Sequence, residues 1–103
     1  MDESIQYCYC IVRSDLSAAQ QIVQLGHACL EAGSRFDHPP NTPLVVLKVK
    51  NERKLLDAAV DLSEAEIQYS CFYEPDYGIG YSAIATESVI GIKRVFFEGF
   101  ALI

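Results

Sequence analysis

Asp15 and Asp76 are the carboxylates best placed for chemistry, because each follows the carboxyl end of a strand-forming run. A carboxylate there can orient or activate water, and Arg13 close by can pair with it or hold an anion. His27 adds a titratable ring. It belongs to a polar series, Gln20, Gln24, His27 and Glu31, whose spacings of four, three and four make one stripe on a helix. Each residue also has a plainer use. Asp15 can be a helix cap, Arg13 its ion-pair partner, and Asp76 a turn residue after Pro75. His27 would stand about 15 Å along the axis from Ser17, at 1.5 Å per residue. It serves either a site beside the helix or a structural bond to a loop packed over Gly26, with the balance toward the structural role.

The cysteines Cys8, Cys10, Cys29 and Cys71 include no Cys-x-x-Cys pair, the spacing of a zinc or redox motif. Cys8 and Cys10 share a strand face and could offer a metal two ligands. Each cysteine, however, lies in an apolar run, which reads as a free thiol packed as a small hydrophobe, with no metal and no cofactor. Gly78-Ile79-Gly80 lacks the third glycine and the lysine of a phosphate-binding loop.

The elements that must position these residues alternate. Ile5 to Val12 is apolar on both faces, the pattern of a covered central strand. Either Asp15 or Ser17 caps a helix running to about Ala32 and ending at Gly33, with Ala19, Ile22, Val23, Gly26 and Leu30 as its apolar stripe. Asp37-His38-Pro39-Pro40-Asn41 reads as a solvated loop. Leu44 to Lys50 is a second strand, Asn51 caps a second helix to about Leu62, and Ile67 to Tyr73 is a third strand. Glu74 to Gly80 is a turn-rich loop, and Ser88 to Phe96 the last clear strand. The apolar tail from Phe97 to Ile103 should pack back on the domain or on a second subunit. Strand, helix, strand, helix, strand predicts one α/β domain over 1–103, with helices on both faces of a sheet. If the first and third strands lie near each other, Arg13, Asp15 and Asp76 converge at the N-terminal end of the first helix, outside the carboxyl ends of the strands.

Composition narrows the function classes. With 14 acidic and 8 basic residues the net charge is -6, which argues against gripping nucleic acid by charge alone. No stretch has the length of a membrane span, the start lacks a signal-peptide flank, and the expected location is the cytoplasm.

Several segments, taken in order, resemble the type II peptidyl-tRNA hydrolases of archaea and eukaryotes. They are Ile11-Val12-Arg13-Ser14-Asp15-Leu16, Gln24-Leu25-Gly26-His27-Ala28, Leu44 to Val49, Asp76 with Gly78, and Ile84-Ala85 followed by Ser88 to Ile92. The resemblance implies a three-layer α/β/α sandwich with a four-stranded mixed sheet in order 2-1-4-3, strand 4 antiparallel. It also implies cleavage of the ester joining a peptide to tRNA, with tRNA as partner. Asp76 would then activate water, Ser82 would be a site hydroxyl, and His27 and Arg13 would hold the polar network. The chain departs from the family at the family's lysine, where Gln20 stands, and at an arginine, where Tyr81 stands.

Two functions follow as expectations. One is a divergent ester hydrolase using Asp76, Ser82 and His27, with Arg13, Asp15, Gln20, Gln24 and Tyr81 as binding residues. The other is a noncatalytic member of the fold that binds a small ligand or protein partner through Tyr77, Tyr81 and the tail. Both are compatible with a homodimer.

Overall fold

Apolar residues on both faces of Gln6–Arg13 make this first strand, β1, the centre of the sheet. The computed structural model describes residues 5–103, and β1 is followed by α1 (Ala18–Arg35), β2 (Leu44–Val49), α2 (Glu52–Glu64), β3 (Tyr69–Glu74) and β4 (Gly80–Ile90). A 3-10 helix, Gly91–Gly99, and a short β5, Ala101–Leu102, complete the chain. The sheet order is β3-β4-β1-β2-β5. β1 runs parallel to β2 and antiparallel to β4, and β4 runs antiparallel to β3.

The sheet therefore has five strands where four were expected. The fifth comes from the tail, which folds back because Phe97 is buried and stacks on Tyr9 with ring centroids 3.7 Å apart. That anchor brings Leu102 opposite Leu47 and lets the Ile103 N–H reach the Val46 carbonyl at 3.2 Å.

Alternation along β1 divides two cores. Tyr9 and Ile11 face α2, where Leu55, Ala58, Ala59 and Leu62 pack with Leu47 and Ile84. Cys8, Cys10 and Val12 face α1 through Ala28, Ala32, Ala83 and Ala85. Leu55 and Leu62 are fully buried, each contributing about 1.5–3 kcal/mol on transfer from water. Among the described residues no helix is long and apolar enough to cross a membrane.

Two expectations are corrected. The last long strand is Gly80–Ile90, not Ser88–Phe96. Its first half is mostly small residues, Gly80, Ser82, Ala83 and Ala85, with only Tyr81 and Ile84 favouring a strand, and pairing with β1 and β3 on both sides imposes the conformation. Gly91, at φ +67°, then turns the chain into the 3-10 helix. The second correction concerns α1, which runs through Gly33 and buries Gln24, Ala28 and Ala32 instead of its larger apolar residues. Ile22 and Leu30 are each 73% exposed and Val23 47%. The alanines let the helix lie close to the sheet, and the inward glutamine finds partners for all its polar atoms.

Candidate functional site

The carboxyl ends of β1, β2 and β3 lie at one end of the sheet, together with the start of antiparallel β4. Arg13, the last residue of β1, closes that end. Its Nε and Nη2 donate to the two Asp15 carboxylate oxygens at 3.0 Å each, and Nη1 donates to the carbonyls of Ile79 and Tyr81. One guanidinium thus ties the β1–α1 turn to the entry of β4. Hydrogen bonding from Arg13 holds the Asp15 carboxyl below its usual range. Asp15 is not the helix cap. Ser17 fills that role, accepting from the Gln20 N–H.

Beside the clamp lies a buried amide network centred on Gln24. Gln24 Nε2 donates to Glu74 Oε1 at 2.9 Å and to Gln20 Oε1 at 3.1 Å, while its Oε1 accepts from Ser82 Oγ at 2.7 Å. The direction of these bonds is fixed chemically. Glu74, as a carboxylate, only accepts, so Gln24 must turn its NH2 toward it and its carbonyl oxygen toward the serine. The second Gln24 N–H then takes the Gln20 oxygen. The Gln20 amide nitrogen is left out of the network as a donor.

Ser82 reaches Gln24 through a β-bulge. Ala83 pairs with Phe72 and Tyr81 with Tyr73, so Ser82 is the extra residue on β4. By alternation it would share the α2-facing side of Ile84, and the bulge re-aims it at α1. Its side chain is fully buried.

Asp76 begins the β3–β4 turn. The Ile79 N–H donates to the Asp76 carbonyl at 3.2 Å, with Tyr77 at φ +59° and Gly78 at φ +64° between them. Two left-handed residues in a row form the type I′ hairpin turn. Tyr77 has no Cβ freedom to spare there, and about 1–2 kcal/mol of backbone strain is held at this position. At the other side of the turn the Glu52 carboxylate accepts from the Tyr81 N–H at 2.8 Å and rests against Gly80, where a Cβ would collide with it. Asp76 is exposed, and its N–H donates to Glu74 Oε2 at 3.4 Å. The same hairpin carries Tyr73, Tyr77 and Tyr81, 54%, 85% and 38% exposed, with Tyr73 and Tyr81 edge to face at 4.9 Å.

The structure thus brings Arg13 and Asp15 together, and Gln20, Gln24 and Ser82 together, with Tyr81 and Asp76 joined to them through backbone contacts. His27 stands apart. Its ring stacks on Phe72 with centroids 4.5 Å apart, and among the described residues it bonds to none of the network. Glu74 and Glu52 were missed in the sequence. Glu74 was visible only as the residue before Pro75-Asp76, and Glu52 as a first-turn acid of α2. Among the described residues no group of three or more metal-capable side chains is arranged to hold an ion. No protein-family model matches the chain, and no curated protein does.

Proposed function

We propose that the chain is a divergent ester hydrolase of the type II peptidyl-tRNA hydrolase kind, acting on the peptide–tRNA ester or a related ester. The observation that carries this reading is the one-way amide network, in which Glu74 orients Gln24 and Gln24 orients Gln20. It leaves the Gln20 N–H donors free at the strand end that also carries the exposed Asp76 carboxylate. Asp76 activates the attacking water, and Gln20, in place of the family's lysine, donates to the oxyanion of the tetrahedral intermediate. Ser82, Gln24 and Arg13 are positioning residues, because each is committed to bonds that hold the site. Arg13 has no fork left for a phosphate, and the carboxylates Asp15, Glu52, Glu74 and Asp76 are offset at this end by Lys50, Arg53 and Lys54 at the close of β2 and the start of α2. Substrate recognition then rests on stacking against Tyr73, Tyr77 and Tyr81 more than on Arg13.

Release of the acyl group from an N-blocked aminoacyl-tRNA tests the reading. Asp76→Asn is expected to lower the rate by about 10²–10⁴. Equal turnover by the variant and the unmodified chain would rule out Asp76 as the base.

The second reading is a noncatalytic binding module, favoured by the sealed Ser82 and the fully engaged Arg13. Its partner is a second copy of the chain. The exposed stripe of α1 is symmetric about Gly26, since a two-fold axis there pairs Ile22 with the other copy's Leu30 and Ala19 with its Gly33. No charged side chain interrupts the helix between Asp15 and Glu31. Light scattering should then give a dimer that Leu30→Glu splits, whereas a monomer at all concentrations would dismiss it.

A further inference from the structure

At the opposite end of β4 a second bulge builds a different cluster. Cys8 pairs with Ser88 and Cys10 with Ala85, which leaves an extra residue on β4 across from Tyr9. The Tyr9 N–H bonds to the Thr86 hydroxyl at 3.0 Å in place of a ladder carbonyl. The Thr86 carbonyl is thereby free to receive Cys8 Sγ at 3.3 Å and His38 Nε2 at 2.9 Å. His38 is therefore not the solvated loop residue that its proline-rich surroundings imply.

Cys10, on the same face of β1 as Cys8, lies with its Sγ 3.6 Å from Cys29 Sγ. That closeness follows from the alanines. Ala28 and Ala32 are at most 1% exposed and bring α1 down onto the sheet, so Cys29 beside them reaches the strand. The thiols are also reachable. Cys8 and Cys29 line a cavity of about 260 Å³ together with Gly33, His38, Pro39 and Leu44, ample for a peroxide when a water occupies roughly 30 Å³. Cys10 is fully buried behind them, and Cys29 is half-buried at the cavity wall.

We propose that these thiols are an oxidation site, in which a small hydroperoxide entering the cavity converts Cys10 and Cys29 into an intramolecular disulfide. The Cys29 thiolate attacks the terminal peroxide oxygen, the O–O bond breaks, and water or an alcohol leaves, giving the Cys29 sulfenic acid. The Cys10 sulfur then attacks the Cys29 sulfur, the S–O bond breaks, and the hydroxide takes up a proton and leaves as water. Two thiols lose two electrons and two protons, and the hydroperoxide is reduced to water plus water or alcohol.

The thiol environments favour this assignment. A hydrogen bond from Cys10 draws the Cys29 thiol down, and the same partner, with His38 nearby, brings Cys8 down to about 6. Cys10 is pushed up by its hydrogen bonds to both neighbours and by burial, which suits a resolving thiol that reacts second. Burial pushes His38 down, but its hydrogen bond to the Thr86 carbonyl and the nearby Cys8 sulfur raise it overall. Cys71 is an internal control, because burial raises it to about 11.

The disulfide would fasten the helix that carries Gln20 and Gln24 to the strand that ends in Arg13. It does not depend on the hydrolase reading.

The test is hydrogen peroxide treatment of the fully reduced chain, followed by peptide mapping. The expected product is a Cys10–Cys29 peptide pair lighter by two hydrogens and restored by dithiothreitol, with Cys29 consumed roughly tenfold or more faster than Cys71. Cys10→Ala should instead accumulate a sulfenic acid at Cys29 that dimedone captures. If that buried substitution prevents folding, Cys29→Ser at the half-exposed position should abolish the cross-link without unfolding. Independent over-oxidation of the cysteines, a cross-link only between molecules, or equal reactivity of Cys29 and Cys71 would overturn the proposal.

Discussion

Gln24 joins elements that the chain order keeps far apart. Its partners Glu74 and Ser82 lie 50 and 58 residues away, and both are needed, with Gln20 four residues away, to satisfy one buried amide. Ser82→Ala leaves the Gln24 oxygen buried without a donor, a loss of about 1–3 kcal/mol. Thermal unfolding should show it as a midpoint lower by several degrees; an unchanged midpoint would mean that water replaces the hydroxyl. The Asp15 carboxyl provides a pH test. Because its folded value is depressed, the Arg13 pair stabilises the chain above about pH 4, where the unfolded carboxyl is also ionised, and the gain is lost as acid protonates Asp15. Asp15→Asn should therefore flatten the acid limb of the stability curve and lower stability at neutral pH.

This residue-level picture was partly legible. The four-three-four spacing of Gln20, Gln24, His27 and Glu31 identified a polar line on one helix, of which Gln20 and Gln24 join the network while His27 stacks on Phe72. It could not say which way the line points, since periodicity orders the faces of a helix but not their direction. The larger apolar stripe argued for the wrong face, and the alanines that decided the packing carry little hydrophobic signal. Glu74 was invisible as a site residue because its role depends on Gln24, 50 residues away.

At the scale of elements, the β3–β4 hairpin positions Asp76 and the tyrosines, and it does so under strain. Tyr77→Asn gives the Asn-Gly pair that a type I′ turn prefers, and should stabilise the chain by about 1 kcal/mol in denaturant titration. Gly78→Ala should cost about 1–2 kcal/mol, from its left-handed backbone alone, since open space surrounds it. Gly80→Ala should cost more, because the added methyl also displaces Glu52 from the Tyr81 N–H. Equal costs at the two glycines would remove the argument that Glu52 braces the turn. The proline and paired glycines announced a loop here from sequence alone. β4 itself was not announced. Gly80 to Thr86 contains small residues whose strand conformation comes from neighbours on both sides, and both bulges that aim Ser82 and Thr86 are products of that pairing.

Across the whole molecule, the α/β layering and the central place of β1 could be read from its two apolar faces, whereas the fifth strand depended on where Phe97 would land. The candidate site sets four carboxylates against the occupied Arg13 and the basic residues Lys50, Arg53 and Lys54. A hydrolase built this way should bind tRNA with a shallow salt dependence, because few phosphates are neutralised. The two ends of β4 carry separate chemistries, amide and carboxylate at one, thiol and imidazole at the other. The central claim is that Glu74, through Gln24, presents the Gln20 amide to the oxyanion. It is tested most directly by single-turnover hydrolysis of an N-blocked aminoacyl-tRNA with Gln20→Ala and Glu74→Gln. The account predicts that Gln20→Ala, which removes the donor, slows release by about 10²–10³, and that Glu74→Gln, which frees the amides to reverse, lowers the rate while the chain stays folded. Undiminished release by both folded variants would contradict it.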